Sequence, residues 1–490
     1  MESAANQKAL VAVDLGAQSC RVSLLRWKRN EPEIEVVHRF ANAPISTAGG
    51  LCWDINAIFE GVMNGLRACA RRAPEGIASI AVDGWAVDYV RLDKNGNAST
   101  LPFCYRDART ERAENEVHSI LSPSRLYSLS GIQILRINTL YQLYADKLAG
   151  FDPQLPWMNL PEFITYRLCA RRVSEYTNAT HTGLVQMGTH HWCGEIFQKL
   201  DLDVTAAPNI VPSGSILGPV TGEIAGVPAF RDAKVVAPAC HDTASAIAAI
   251  PAVGQDWAFI SSGTWSLVGT VLDAPCITDD ARAQNFTNLG GVGGRICFLK
   301  NVNGMWLLRQ CMEEWERQGM RWSFAELLSR CDSLPAPAAL IDVDDSQLML
   351  PGHTIDKISA QLERLGQPQF ALDDSSAVLL ANTIFHSMAA RYAEVLTWIS
   401  KITGKKLQRL FIVGGGNQNR VLNRLTAERT GLEIILGSTE STTIGNFAVQ
   451  MAALERSGSS SSGVSADAAA KWAERMSASS LALSSDRETS

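Results

Sequence analysis

An α/β protein built as two lobes is the fold this sequence predicts, and three observations carry that reading. The chain has 490 residues, enough for two large domains at ~150 residues each. Two segments about half a chain apart, Leu10–Trp27 and Trp257–Leu272, share one plan. In each, an apolar β-branched run meets a short polar turn containing glycine and continues as a second alternating run, which reads as a β-hairpin. Finally, strands alternate with helices elsewhere along the chain, the pattern of a mostly parallel sheet with helices on its faces.

The remaining elements follow in order. Ile77–Asp83 and Ala233–Pro238 read as buried strands. Leu380, Ile384, Met388, Tyr392 and Val395 fall on one face of a long helix. A strand at Leu410–Val413 runs into the glycine turn Gly414–Asn419. A helix from about Arg420 to Arg429, a strand Glu433–Leu436 and a helix from about Ile444 come next. The lobes divide between residues 246 and 256, giving a first lobe of residues 1–248 and a second of 249–456. Residues 457–490 are Ser-rich and read as a flexible tail with one short helical piece, Ala466–Met476.

Composition narrows the function. Hydrophobic residues are 46% and charged residues 19%, an ordinary globular balance. The net charge of −6, from 44 basic and 50 acidic residues, makes no case for nucleic acid or an anionic membrane as partner. The apolar stretch Val235–Val253 is interrupted by His241 and Asp242, which argues against a transmembrane helix. The opening MESAANQKAL has no basic segment followed by an apolar one, so no secretory signal is read. The 11 cysteines are scattered without a CxxC pair, as expected of free thiols in a reducing cytoplasm.

Neither a P-loop nor a dinucleotide fingerprint is present. Gly404-Lys405-Lys406 lacks the earlier glycine and the hydroxyl residue, and Ile296 breaks the glycine pattern of Leu289–Arg295. Hairpin turns can hold phosphate instead, because successive backbone N–H groups converge on an anion and small residues allow close approach. Gly16–Arg21 and Ser261–Thr264 have that composition. Each alone is an ordinary tight turn; the pair in matching lobes points to phosphate. Asp14, at the end of the first strand, either caps its own turn or helps hold Mg²⁺ between itself and the phosphates.

Asp242 opens the Ala-rich helix after Cys240-His241. It is either a capping residue or a general base kept ionised by the helix N-terminus, with His241 able to bond a polyol. In Gly414–Asn419, three glycines let an adenosine lie on the backbone, beyond what a helix cap needs. In Lys300–Arg309, Asn303 is expected to cap a helix with the buried stripe Leu308, Cys311, Met312 and Trp315, with Asn301 pointing into a cleft. His190-His191 form no metal motif.

With these residues in view, the chain resembles the FGGY family of sugar kinases, of the actin-like (ribonuclease H-like) ATPase fold, from about Ala9 to Leu454. The carriers are VAVDLGA (Val11–Ala17), WDI (Trp53–Ile55), WAVDYV (Trp85–Val90), YRDART (Tyr105–Thr110), GIQ and NTLYQL (Gly131–Leu143), EYTNAT (Glu175–Thr180), HDTASA (His241–Ala246), SSGTWSL (Ser261–Leu267), LKN and GMWLL (Leu299–Leu308) and VGGGNQN (Val413–Asn419).

The resemblance implies a sugar- and phosphate-binding first lobe, a nucleotide-binding second lobe and a cleft served by both. It implies that Asp242 is the base, that Ala86, His241, Asp242, Thr243 and Asn301 contact the sugar, and that Ala17, Gln18, Ser19, Cys20, Arg21, Thr264, Arg309 and Gly415 contact ATP. Asp14 falls at the position that organises Mg²⁺. HDTASA, SSGTWSL and EYTNAT point to the branch that phosphorylates L-rhamnulose at its C1 hydroxyl. Another ketose such as L-fuculose or L-xylulose, or a non-catalytic sugar sensor, are the alternatives. The implied partners are ATP and a small sugar, not nucleic acid or membrane, and nothing in the sequence specifies an oligomeric state.

Four residues depart from the family pattern: Cys20 and Ala86 stand for glycines, Arg309 for a glutamine, and Glu162 for an aspartate.

Overall fold

The structure, a computed structural model, describes residues 8–263, 265–349, 352–367, 373–456 and 463–485. Thr264 and the stretch 457–462 therefore lie outside the described residues, as do 486–490.

Two six-stranded sheets organise the chain. The first has the order Ser215–Pro219, Lys234–Ala237, Ile77–Gly84, Ala9–Leu15, Ser19–Lys28, Glu31–Ala41. The expected hairpin is its centre: Ala9–Leu15 pairs antiparallel with Ser19–Lys28 and parallel with Ile77–Gly84, which pairs parallel with Lys234–Ala237. The second sheet has the order Thr287–Gly290, Ile296–Asn303, Trp265–Leu272, Trp257–Ser262, Arg409–Val413, Glu433–Leu436. Here too the expected hairpin, Trp257–Ser262 against Trp265–Leu272, is followed by two parallel neighbours. The likeness seen between the two segments thus extends to the order of strands around them.

Strand alternation sorts the first sheet's side chains onto two faces. Ala9, Val11, Val13 and Leu15 enter one core with Cys20, Val22, Leu24, Ile80 and Val82, covered by the helices Ile55–Arg72 and Leu160–Cys169. Leu10, Ala12, Leu25, Trp27 and Ala81 enter a second core with Ile444, Phe447, Ala448 and Met451 of the helix Ser441–Glu455. Each Val, Leu, Ile, Phe or Met among them contributes about 1.5–3 kcal/mol on burial. By the same alternation Asp14, Arg21 and Asp83 belong to the second face.

The compact units do not follow chain order. The described residues of 1–252, 271–298 and 441–490 form one unit, and those of 253–270 and 299–440 the other. The helix Ser441–Glu455, expected in the second lobe, belongs to the first because its apolar side chains complete that lobe's core. Its Gln450 Nε2 also donates to Val11 O at 3.1 Å, and Gln450 Oε1 accepts from Ser79 Oγ at 2.6 Å.

The flexible tail needs correction for the residues described. Ala466–Ser485 is one helix, longer than the expected Ala466–Met476. Its Ala469, Trp472, Ala473 and Met476 are buried in the same core. Trp472 meets Trp27 edge to face at 5.7 Å, and Arg475 lies over both rings. Serine-rich flanks masked an amphipathic segment. The final helix should therefore be integral to stability. Trp472→Ala is expected to cost about 3 kcal/mol in urea unfolding followed by circular dichroism; an unchanged midpoint would show the helix to be dispensable.

Candidate functional site

The site starts at the carboxyl ends of the parallel strands, where ligands of open α/β sheets gather. Asp14 and Asp83 are directly paired in the parallel register, one residue before the pair Leu15 and Gly84. A further bridge joins Gly84 to His241, and Gly84 N donates to Cys240 O at 2.9 Å. Backbone pairing alone therefore draws Asp14, Asp83 and Asp242 together within the first unit.

Asp14 is buried, and Arg21 Nη1, directly across the hairpin, donates to its Oδ2 at 2.8 Å. Asp83 is wholly buried; Asn446 Nδ2 donates to its Oδ2 at 2.5 Å, and its Oδ1 has no partner among the described residues. Burial, then the charge of Asp14, pushes the Asp83 carboxyl well above the usual carboxylate range, and Asp242 adds to the effect.

Asp242 begins the helix Asp242–Ala248, and Thr243 Oγ1 donates to its Oδ1 at 3.1 Å. Desolvation pushes its carboxyl up to about 6. His241 Nε2 lies 3.3 Å from Asp242 Oδ1. Burial drives the His241 imidazole down to about 3, so it is neutral and able to hydrogen-bond without adding charge. Its ring meets that of His181 edge to face at 4.0 Å.

A second turn is built beside the strand ends. Trp85 N donates to Leu15 O at 3.2 Å, and the indole N–H groups of Trp53 and Trp85 both donate to Asp88 Oδ2, at 2.6 and 2.9 Å. Gln142 Nε2 donates to Asp88 Oδ1 at 3.1 Å. Val87 has φ of 71°, a conformation that a β-branched residue adopts only when its surroundings enforce it. The enforcement is visible: Val87 O accepts from Thr139 Oγ1 at 2.6 Å and from Gln142 Nε2 at 3.3 Å. Ala86 is buried in this turn.

In the first hairpin's turn, a Cβ on Gly16 would stand 2.4 Å from Ser19 O, so the tight turn requires glycine. Ala17 and Ser19 are half-buried and Gln18 is exposed, leaving the turn accessible. Cys20 is different. It is the second residue of strand Ser19–Lys28, wholly buried, and its thiol is pushed up to about 12 by desolvation and Asp14. Strand alternation turns the Cys20 side chain into the core, so an ATP contact of this residue would fall to its backbone.

In the second unit, the glycine turn has one open face. A Cβ on Gly414 would lie 2.8 Å from Ser262 O and one on Gly416 1.9 Å from Ser262 Oγ, whereas one on Gly415 meets nothing within 4 Å among the described residues. Asn419 caps the following helix through Leu422 N at 3.0 Å. Asn301 lies in strand Ile296–Asn303. Asn303 is not the cap of helix Trp306–Arg317, contrary to expectation: it ends that strand, its Nδ2 donates to Leu348 O at 3.3 Å, and Met305 is the cap position. Arg309 is exposed on that helix and pairs with Glu313 at 3.1 Å.

Sequence reasoning missed Asp83. The available signal was that its strand ends Val82-Asp83-Gly84, an acid closing an apolar strand before glycine, as in Val13-Asp14-Leu15-Gly16. Among the described residues no group of three or more His, Cys, Asp or Glu stands ready to hold a metal. Asp14 and Asp83 nevertheless fit Mg²⁺, which is commonly held by one or two carboxylates together with substrate phosphates; the unpartnered Asp83 Oδ1 is the oxygen such an ion needs. No described helix is long and apolar enough to cross a membrane.

Comparison with known proteins adds to this geometry. Residues 9–249 match the N-terminal domain of the FGGY family of carbohydrate kinases, and residues 258–454 match its C-terminal domain. A rhamnulokinase of Bacteroides thetaiotaomicron is 36% identical over 445 residues, covering 90% of this chain and 89% of its own. A rhamnulokinase of Oceanobacillus iheyensis is 34% identical over 456 residues, 92% of this chain and 94% of its own. Among solved structures, the ligand-bound xylulose kinase of Lactobacillus acidophilus shares the fold, with TM-score 0.75 and 15% identity over 98% of each chain.

The Glu162 departure has a measurable signature. Glu162 Oε2 accepts from Asn178 Nδ2 at 2.8 Å and Oε1 from Glu175 N at 3.2 Å. Burial, then the Glu175 charge, pushes its carboxyl from 4.5 up to about 8. The folded state thus holds this proton more tightly than the unfolded one. Its contribution to stability is complete below about pH 4.5 and is lost as pH rises through about 8. Glu162→Gln should flatten the decline of unfolding free energy across that window; identical slopes in wild type and variant would refute the assignment.

Proposed function

Since the chain belongs to the FGGY family of carbohydrate kinases, we propose that it transfers the terminal phosphoryl group of ATP to the C1 hydroxyl of L-rhamnulose, giving L-rhamnulose 1-phosphate and ADP. The observation that carries this reading is the Gly84-to-His241 bridge, which sets a carboxylate poised near neutrality, Asp242, beside the strand ends that bear Asp14 and Asp83. The named substrate is supported by the rhamnulokinases at 36% and 34% identity over nine-tenths of the chain.

In this reading the ketose contacts His241, Asp242 and Thr243 and lies against Ala86 in the Trp85–Asp88 turn; Asn301 is assigned to the sugar on family pattern alone. Asp242 takes the proton of the C1 hydroxyl as that oxygen bonds to the γ-phosphorus, and the bond from phosphorus to the bridging oxygen of ADP breaks in line. Neutral His241 holds a sugar hydroxyl without drawing Asp242 into an ion pair. The turn Ala17–Arg21 receives phosphate through backbone N–H groups and the Arg21 guanidinium. Gly415 offers an open backbone surface to the nucleotide, flanked by glycines packed against Ser262. Thr264 is assigned to the phosphates and Arg309 to ATP on family pattern alone. Asp14 and Asp83 would hold Mg²⁺, which when bound supplies positive charge to the β- and γ-phosphate oxygens.

Measurements on the base and on the sugar preference test this. Asp242→Asn should lower kcat at least about 10²-fold while calorimetry still detects ketose binding. In the wild type, kcat/KM should fall about tenfold per pH unit below about 6, where Asp242 takes up its proton. Full turnover in the variant would remove Asp242 as the base. A coupled assay for ADP across L-rhamnulose, L-fuculose and L-xylulose tests the substrate. L-rhamnulose should have the highest kcat/KM, and Ala86→Gly should change the ranking among the sugars. A higher value for another ketose would reassign the enzyme.

A further inference from the structure

The EYTNAT segment lies outside the assigned contacts, yet it touches the backbone on which Asp242 depends. Glu175 ends the short strand Val173–Glu175 and Thr177 lies in the first turn of helix Tyr176–His181. Both are wholly buried. The Glu175 carboxylate accepts from four donors: Ser213 Oγ at 2.6 Å on Oε1, and Thr177 Oγ1 at 2.5 Å, Thr177 N at 3.1 Å and Cys240 N at 2.8 Å on Oε2. Thr177 Oγ1 in turn accepts from His241 N at 3.2 Å.

The two amides immediately before Asp242 are therefore held by side chains of a different segment, while Cys240 O is held on the opposite side by Gly84 N. The hydroxyl of Thr177 is a directional relay, donating to Glu175 and accepting from His241. No apolar side chain of the same shape can replace it.

We propose that Glu175 and Thr177 are positioning residues for the phosphoryl-transfer step, fixing the direction in which the Cys240-His241 turn presents the Asp242 carboxylate. This rests on the reading of Asp242 as the base. Misplacing a reacting group by about 1 Å can cost about 10²-fold in rate, so the clamp acts on turnover. Its residues all belong to the first unit and the glycine turn of the nucleotide reading to the second, so the expected loss is in turnover rather than in KM for ATP.

The test uses the full-length chain with Thr177→Val, which keeps the shape and removes the relay, Thr177→Ser, which restores it, and Glu175→Gln. Turnover, KM for ATP and ketose, thermal midpoint, and hydrogen–deuterium exchange of the peptide containing Cys240 and His241 are measured for each. Thr177→Val and Glu175→Gln should lower kcat about 10- to 100-fold, leave KM for ATP within about twofold, and speed exchange in that peptide. Thr177→Ser should return kcat and exchange to near the wild-type values even where its thermal midpoint matches that of Thr177→Val. Equal loss in the Ser and Val variants, or unchanged exchange in Thr177→Val, would overturn the proposal. Asp242→Asn run in parallel separates the two claims: an active Asp242→Asn defeats the base, whereas the exchange measurement judges the clamp directly.

Discussion

Parallel pairing between Ala9–Leu15 and Ile77–Gly84, continued by the bridge from Gly84 to His241, is the constraint from which the first unit's chemistry follows. A parallel register aligns strand ends, so acids that close separate strands are brought level without any side chain having to reach. Alternation then decides the face. Asp14 and Asp83 share the side of Leu10, Ala12 and Ala81, the side covered by Ser441–Glu455. That helix supplies Asn446 to Asp83 and Gln450 to the strand backbone behind it. A slip of one residue would turn both acids toward the opposite core.

Buried carboxyl groups recur around this frame: Asp83, Asp88, Glu162 and Glu175 are all nearly or wholly inaccessible. Desolvation raises each of them, which is costly unless specific donors compensate. The donors are an asparagine for Asp83, two indole N–H groups and a glutamine for Asp88, an asparagine and a backbone amide for Glu162, and two hydroxyls and two backbone amides for Glu175. Such networks tolerate little displacement, because any broken bond leaves a buried polar group unmatched. They tie down the turns that carry Ala86, His241 and Asp242. The left-handed φ of Val87 is held in place by the same means.

Much of the fold was legible because its signals are local. The two hairpins, the strands at Ile77–Gly84, Lys234–Ala237 and Arg409–Val413 and the long helix Asp374–Thr403 each announce themselves through periodicity and punctuation within a dozen or so residues. Legibility ended where a residue's role depends on its neighbour in space. Cys20 reads as part of a polar turn, yet the strand begins one residue earlier and sends it into the core. Asn303 reads as a helix cap, yet the strand extends through it and the cap falls at Met305. The final helix reads as tail because serines surround it, while the surface that makes it stable, Trp27 and its neighbours, lies more than four hundred residues away in the chain.

What the sequence determined by itself was the set of elements, the pairing of two like hairpins, and the chemical types at the site: an acid at a strand end, an acid at a helix start, and a run of three glycines. These depend on short-range sterics and periodicity, which each segment carries with it. Only the tertiary structure decided that Asp83 joins Asp14, that Glu175 and Thr177 hold the amides before Asp242, and that Ser441–Glu455 packs on the first sheet. Those facts depend on which distant surfaces exclude water together and which buried donors meet which acceptors. No local pattern encodes that, because burial and the shifts in acidity that follow from it exist only once the chain has closed around them.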